Sequence, residues 1–93
     1  MSIQSTLLAA GFEKLTTEDR SVAGFSHEEH GNLYLEYSAS ILIEDLLDFH
    51  NDAAQFLLQR ITKMMADEGD SCTISSYDVQ QWSNEFEDSL IPL

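Results

Sequence analysis

Between Glu44 and Ala66 the apolar residues recur at helical spacing. At about 100° per residue, Leu46, Leu47, Ala53, Ala54, Leu57, Leu58, Ile61, Met64 and Met65 share one broad arc, with Phe49 and Phe56 at its edge. Glu44, Asp45, Asp48 and Asp52 fall in the opposite arc. The pattern predicts a long central amphipathic helix over 44–66. Such a helix is stable only when other elements cover its apolar face.

Those elements are readable on either side. "SIQSTLLAAGF" predicts a short first helix, with Ile3, Leu7 and Ala10 at helical spacing, Gly11 suited to its C-cap, and Phe12 and Leu15 packing after it. "SVAGFSH" and "NLYLEYS" flank "EEHG", a hairpin signal in which Leu33, Leu35 and Tyr37 alternate with Tyr34 and Glu36. "SASILI" extends the second strand or begins the next helix. A last helix starts after Ser75 or Ser76, carries the stripe Val79, Trp82, Phe86 and Leu90, and ends at Pro92. The order α-β-β-α-α predicts a single α+β domain over 1–93. Its antiparallel hairpin is packed against the long central helix and the C-terminal helix.

Composition supports folding and narrows the partners. Leu, Ile, Val and Phe make up about 27% of the 93 residues, above the roughly 20% below which a highly charged chain is disordered. Seventeen acids face four bases, Lys14, Arg20, Arg60 and Lys63, for a net charge of −13. Residues 21–93 hold 14 of the acids and two of the bases. That field opposes direct binding to nucleic acid and docking on anionic lipid, both of which rest on Lys and Arg. It favours solubility and fast encounter with cationic partners. Cys72 is the only cysteine, which excludes an intrachain disulfide and a thiolate metal cluster. No base precedes Lys14 and the longest apolar run, "LLAAGF", is too short to span a bilayer, so a reducing, cytoplasmic setting is expected.

Three stretches invite a chemical reading. "DEGDSCTISSYD", Asp67 to Asp78, resembles the twelve-residue calcium loop of the EF-hand family, with Asp67 at position 1, Ile74 at 8, Ser75 at 9 and Asp78 at 12. Gly69 replaces the acid at position 3, and Cys72 replaces the turn glycine at 6. The competing expectation is a polar turn whose serines cap the last helix. "HEEH", His27 to His30, offers two imidazoles and two carboxylates for zinc or nickel, but a turn aims neighbours apart and no third ligand is evident. His50 lies in the apolar arc of the central helix and is expected to be packed or at an interface. Cys72 has no local signature of a nucleophile, and no Gly-rich phosphate loop is present. No catalytic residue, cofactor or metal site is assigned.

The acids carry more information. Glu44 and Asp45 complement the N-terminal dipole of the central helix, but Asp52 lies beyond its first turn. Asp67, Glu68, Asp70, Glu87 and Asp88 crowd helix C-termini, where acids are unfavourable. One helix spaces carboxylates by about 6 Å per turn, coarser than the phosphates of a DNA strand, so several elements would have to combine to imitate one. In size, acidity and lack of catalytic motifs the chain resembles small phage-encoded inhibitors, the anti-CRISPR and anti-restriction DNA mimics, and the acidic immunity proteins that neutralise nuclease toxins. That resemblance implies a non-enzymatic inhibitor bound to the basic nucleic-acid-binding surface of its target. It is one of size and composition and assigns no residue roles. From the residues themselves, Glu44, Asp45, Asp48 and Asp52 are the expected centre of contact, with Glu28, Glu29, Glu85 and Asp88 outside it. The alternative is an adaptor or oligomerisation module, a homodimer among its forms, acting through an apolar patch, with Tyr34, Phe49, Phe56, Tyr77 and Trp82 as anchors.

Overall fold

Alternation of apolar and polar residues builds a hairpin in the expected region, its second strand ending at Glu36. The computed structural model describes residues 2–90. They form α1 (Ile3–Ala9), β1 (Glu13–Leu15), β2 (Val22–His27), β3 (Gly31–Glu36), α2 (Tyr37–Phe49), α3 (Ala53–Glu68), β4 (Ser71–Ile74) and α4 (Ser76–Leu90). The expected succession of helix, hairpin and helices is kept, with β1 and β4 added at the two edges of the hairpin. The sheet order is β1-β2-β3-β4, antiparallel in its first two pairings and parallel between β3 and β4. Pro92, expected to end the last helix, lies outside the described residues.

Register decides which face is apolar. Phe25, Leu33 and Cys72 are cross-strand partners, as are Ala23, Leu35 and Ile74. These rows form the inner face of the sheet, where Leu33, Leu35 and Ile74 are completely buried. Ile3 and Leu7 of α1, Ile43 and Leu47 of α2, Leu57 and Ile61 of α3, and Val79 and Trp82 of α4 close over that face in one continuous core. β4 escapes a sequence reading because "SCTI" is short and polar at alternate positions. Its exposed–buried alternation is set by pairing to β3.

Two expectations are corrected. Tyr37 does not share the core face with Leu33 and Leu35. It begins α2 and is 67% exposed, while its N–H donates to the Ser21 carbonyl at 2.7 Å. The predicted helix over 44–66 is two helices. α2 starts seven residues earlier than Glu44 and stops at Phe49. His50 is extended (φ −138°, ψ 94°), and its N–H still caps the Leu46 carbonyl at 2.8 Å. His-Asn-Asp at 50–52 favours such a break, because short polar side chains compete with helical hydrogen bonds. The apolar periodicity reads through the break because Leu46 and Leu47 before it, and Ala53, Leu57, Ile61 and Met65 after it, enter the same core.

The return from α3 to β4 depends on two glycines. Gly69 ends α3 at φ +93°, with its N–H on the Met65 carbonyl at 3.0 Å. Gly31 opens β3 at φ +92°, and a Cβ there would lie 2.6 Å from the Asp70 carbonyl oxygen. The adjacent Asn32 N–H donates to that same oxygen at 3.0 Å, so this main chain cannot retreat without losing the bond. A Cβ at Gly69 would meet open space. Gly69→Ala should therefore cost about 1–3 kcal/mol, the usual range for backbone strain alone. Gly31→Ala should cost more than Gly69→Ala, and urea unfolding of the two variants checks the order.

Candidate functional site

The predicted acidic row does not survive as a row. Glu44 is half-buried, and its Oε1 accepts the Ile3 N–H at 2.8 Å, which ties α2 to the first turn of α1. Asp45 and Asp48 are exposed on α2. Asp52 lies outside α2, exposed at the N-cap position of α3, and makes no side-chain capping bond there. Glu85 is ion-paired with Arg60 at 2.9 Å, and Asp88 is exposed near the end of α4. Glu28 and Glu29 are exposed at the hairpin turn, beside the Met65–Asp70 end of α3. Asp52 stands at the other end of that 16-residue helix, about 24 Å away at 1.5 Å per residue. The acids thus form two groups, and Glu28 and Glu29 belong to the one remote from α2.

The remaining candidates resolve into structural roles. Residues 71–74 of the calcium-like stretch are strand β4, with Cys72 and Ile74 facing the core. Asp78 Oδ2 accepts from both the N–H and the hydroxyl of Ser75 at 3.0 Å, and the Ser75 Oγ accepts the Asp78 N–H at 3.4 Å. This is a reciprocal capping box, and it engages the carboxylate expected at position 12. At "HEEH" the His27 Nδ1 accepts the Glu29 N–H at 3.0 Å, closing the turn. The His27 and His30 rings lie 4.5 Å apart, and Phe12 packs on both. Among the described residues no group of three or more His, Cys, Asp and Glu side chains is disposed to hold a metal ion. No described helix is long and apolar enough to cross a membrane.

Cys72 is buried, and desolvation pushes its thiol up to about 11, with the charges of Glu68 and Asp78 adding to the effect. A thiol held protonated is a poor nucleophile.

The proposed aromatic anchors divide in the same way. Trp82 is in the core, and Phe56 is partly buried against Phe86 and beneath the Arg60 guanidinium. Tyr34 is half-buried on the outer face of the sheet, over Gly24. Tyr77 is 69% exposed and Phe49 is 83% exposed.

Phe49 stands on a groove between α2 and α4. α2 and α4 pack side by side and leave a groove of about 700 Å³ between them. Leu42 and Leu46 supply apolar lining, and Phe49, His50 and Leu90 line it toward the helix ends. Asp45 on α2 and Glu87 on α4 contribute one carboxylate from each wall. The His50 ring meets the buried Phe86 edge-on at 5.3 Å, so it is packed as its place in the apolar arc predicts. Glu87 and Leu90 join Phe49 only through the packing of α4 on α2, so sequence spacing could not group them. No protein-family model matches the chain, and neither a curated protein nor a solved structure is similar to it.

Two measurements check these assignments. Glu44→Ala removes a charge-assisted bond to a helix-end N–H and should cost about 1–3 kcal/mol, whereas Asp48→Ala should leave the urea midpoint nearly unchanged. The raised Cys72 pKa means the folded chain holds its proton while the unfolded chain loses it near the ordinary value of 9.0. The resulting stability is fully present below pH 9 and is lost as the pH climbs through about 11. Cys72→Ala should show a shallower decline between those limits in urea titrations.

Proposed function

We propose that this protein is a non-enzymatic inhibitor that occupies the basic nucleic-acid-binding surface of a nucleic-acid-processing protein and blocks access to it. The observation that carries the reading is an acidic surface left almost wholly unneutralised. Among the described residues the only salt bridge is Arg60–Glu85. Lys14 lies over the Phe25 ring at 4.6 Å rather than beside a carboxylate. The net charge of −13 is spread over a body 44 Å long and 24 Å across. Duplex DNA of that length carries about 26 phosphates, so the protein presents roughly half that density of negative charge. A basic groove built for a polyanion would attract it from a distance, and steric overlap would complete the competition. The resemblance in size and charge to anti-CRISPR and anti-restriction inhibitors, one of composition alone, points the same way.

The exposed Phe49 favours a second reading, an adaptor that binds through apolar contact. The two readings differ in their response to salt, since exposed charges are screened within about 8 Å at physiological ionic strength.

Capture from a nuclease-treated lysate tests the first reading. Immobilised protein should retain basic nucleic-acid-binding proteins, release them to competing duplex DNA or RNA, and lose them in high salt. The double variant Asp48→Lys, Asp52→Lys should capture none of them while keeping the wild-type urea midpoint. Partners that withstand both salt and competitor, or that still bind the double variant, would show the reading to be wrong.

A further inference from the structure

We propose that the α2–α4 groove is the docking site for a basic amphipathic helix of the partner, an inference that rests on the reading of that partner as basic. Phe49 is 83% exposed at the end of α2, and Leu90 is 47% exposed at the end of α4. Both line the groove with Leu42 and Leu46. Outside the groove, Tyr37 and Ile41 are exposed on the same four-residue row of α2 as Asp45 and Phe49. Burial of large apolar side chains is favourable, so a folded chain that leaves Phe49 and Leu90 in water leaves a binding contribution unused.

The charges around the groove select the occupant. Asp45 and Glu87 stand on its two walls, while Asp48, Asp52 and Asp88 lie within two residues of a lining residue along the chain. The last turns of α2 and α4 contain no base, so the partial negative charge of each helix end adds to these carboxylates. A second copy of this chain would bring the same acids against them. A cationic occupant relieves both the carboxylates and the helix ends.

Length and backbone chemistry favour a helix. The lining residues run from Leu42 to His50 on one wall and from Ser83 to Leu90 on the other, about 12 and 10 Å at 1.5 Å per residue. That is two helical turns, the span of apolar anchors at i, i+4 and i+7 of a docked helix. An extended peptide gains affinity by pairing with an open sheet edge, and both walls here are helices whose main chain is already paired.

The test uses two 14-residue peptides of the same Leu and Lys composition. One is ordered so that its leucines form a helical stripe, and the other is scrambled to destroy it. Each is titrated into ¹⁵N-labelled protein in low salt. The striped peptide should bind at least tenfold more tightly, with shift changes concentrated at residues 42–50 and 83–90. Phe49→Ala, a change at an exposed position, should weaken the striped peptide at least fivefold and leave the scrambled one unaffected. Equal binding of both peptides, or indifference to Phe49→Ala, overturns the groove while leaving the acidic reading standing. If neither peptide binds, the groove proposal is overturned, and the capture experiment decides the basic-partner reading separately. A wild-type dimer in sedimentation that Phe49→Ala dissociates would make a second copy the occupant, and would also overturn the proposal.

Discussion

Strand β3 is the element on which the others depend. It pairs with β2 on one side and β4 on the other, and its Leu33 and Leu35 are fully buried beneath the helices. The β2 pairing needs only a tight turn. The β4 pairing is parallel, and a parallel neighbour cannot be reached by a hairpin. The chain must cross from one end of the sheet to the other, and α2 and α3 are that crossover. Once β4 is in register with β3, each strand leads directly into a helix, α2 after β3 and α4 after β4. The contact between α2 and α4, and the groove it leaves, therefore follow from a single strand pairing.

This architecture is held together against its own charge. The core gathers apolar side chains from all four described helices and the sheet, and the bases contribute little neutralisation. Arg60 serves Glu85 and the Phe56 ring, and Lys14 lies over Phe25. Glu44 and Asp78 are acids the fold uses, one to receive the Ile3 N–H and one to cap α4. Most of the others have no structural task that accounts for their placement, and Asp48, Glu87 and Asp88 stand where a helix dipole disfavours them. Under the proposed function these carboxylates are there to face a cationic partner.

The acids and the exposed aromatic residues were separate lines of argument in the chain and become one surface in the fold. Asp45 and Phe49 are a turn apart on α2, and Glu87 and Leu90 reach them from α4. A surface of that kind joins long-range attraction to short-range burial: charge speeds the encounter, and apolar contact slows dissociation. Glu28 and Glu29, at the far end of α3, contribute to the field without adjoining the groove.

By itself the sequence determined the α+β class, the presence of a hairpin, a serine cap at 75 or 76 and the apolar face running from Leu46 to Met65, because each is a local pattern that a helix or strand imposes on its own residues. It could not show that this face belongs to two helices, since the same core accepts both and the periodicity does not register a break at His50–Asp52. It could not show β4, whose four residues become a strand only by bonding to β3. Nor could it tell that Glu44 is occupied by Ile3, that Cys72 is sealed in the core, or that Phe49 faces Glu87 and Leu90 across a groove. Those facts are contacts between residues far apart in the chain, and only tertiary packing decides them.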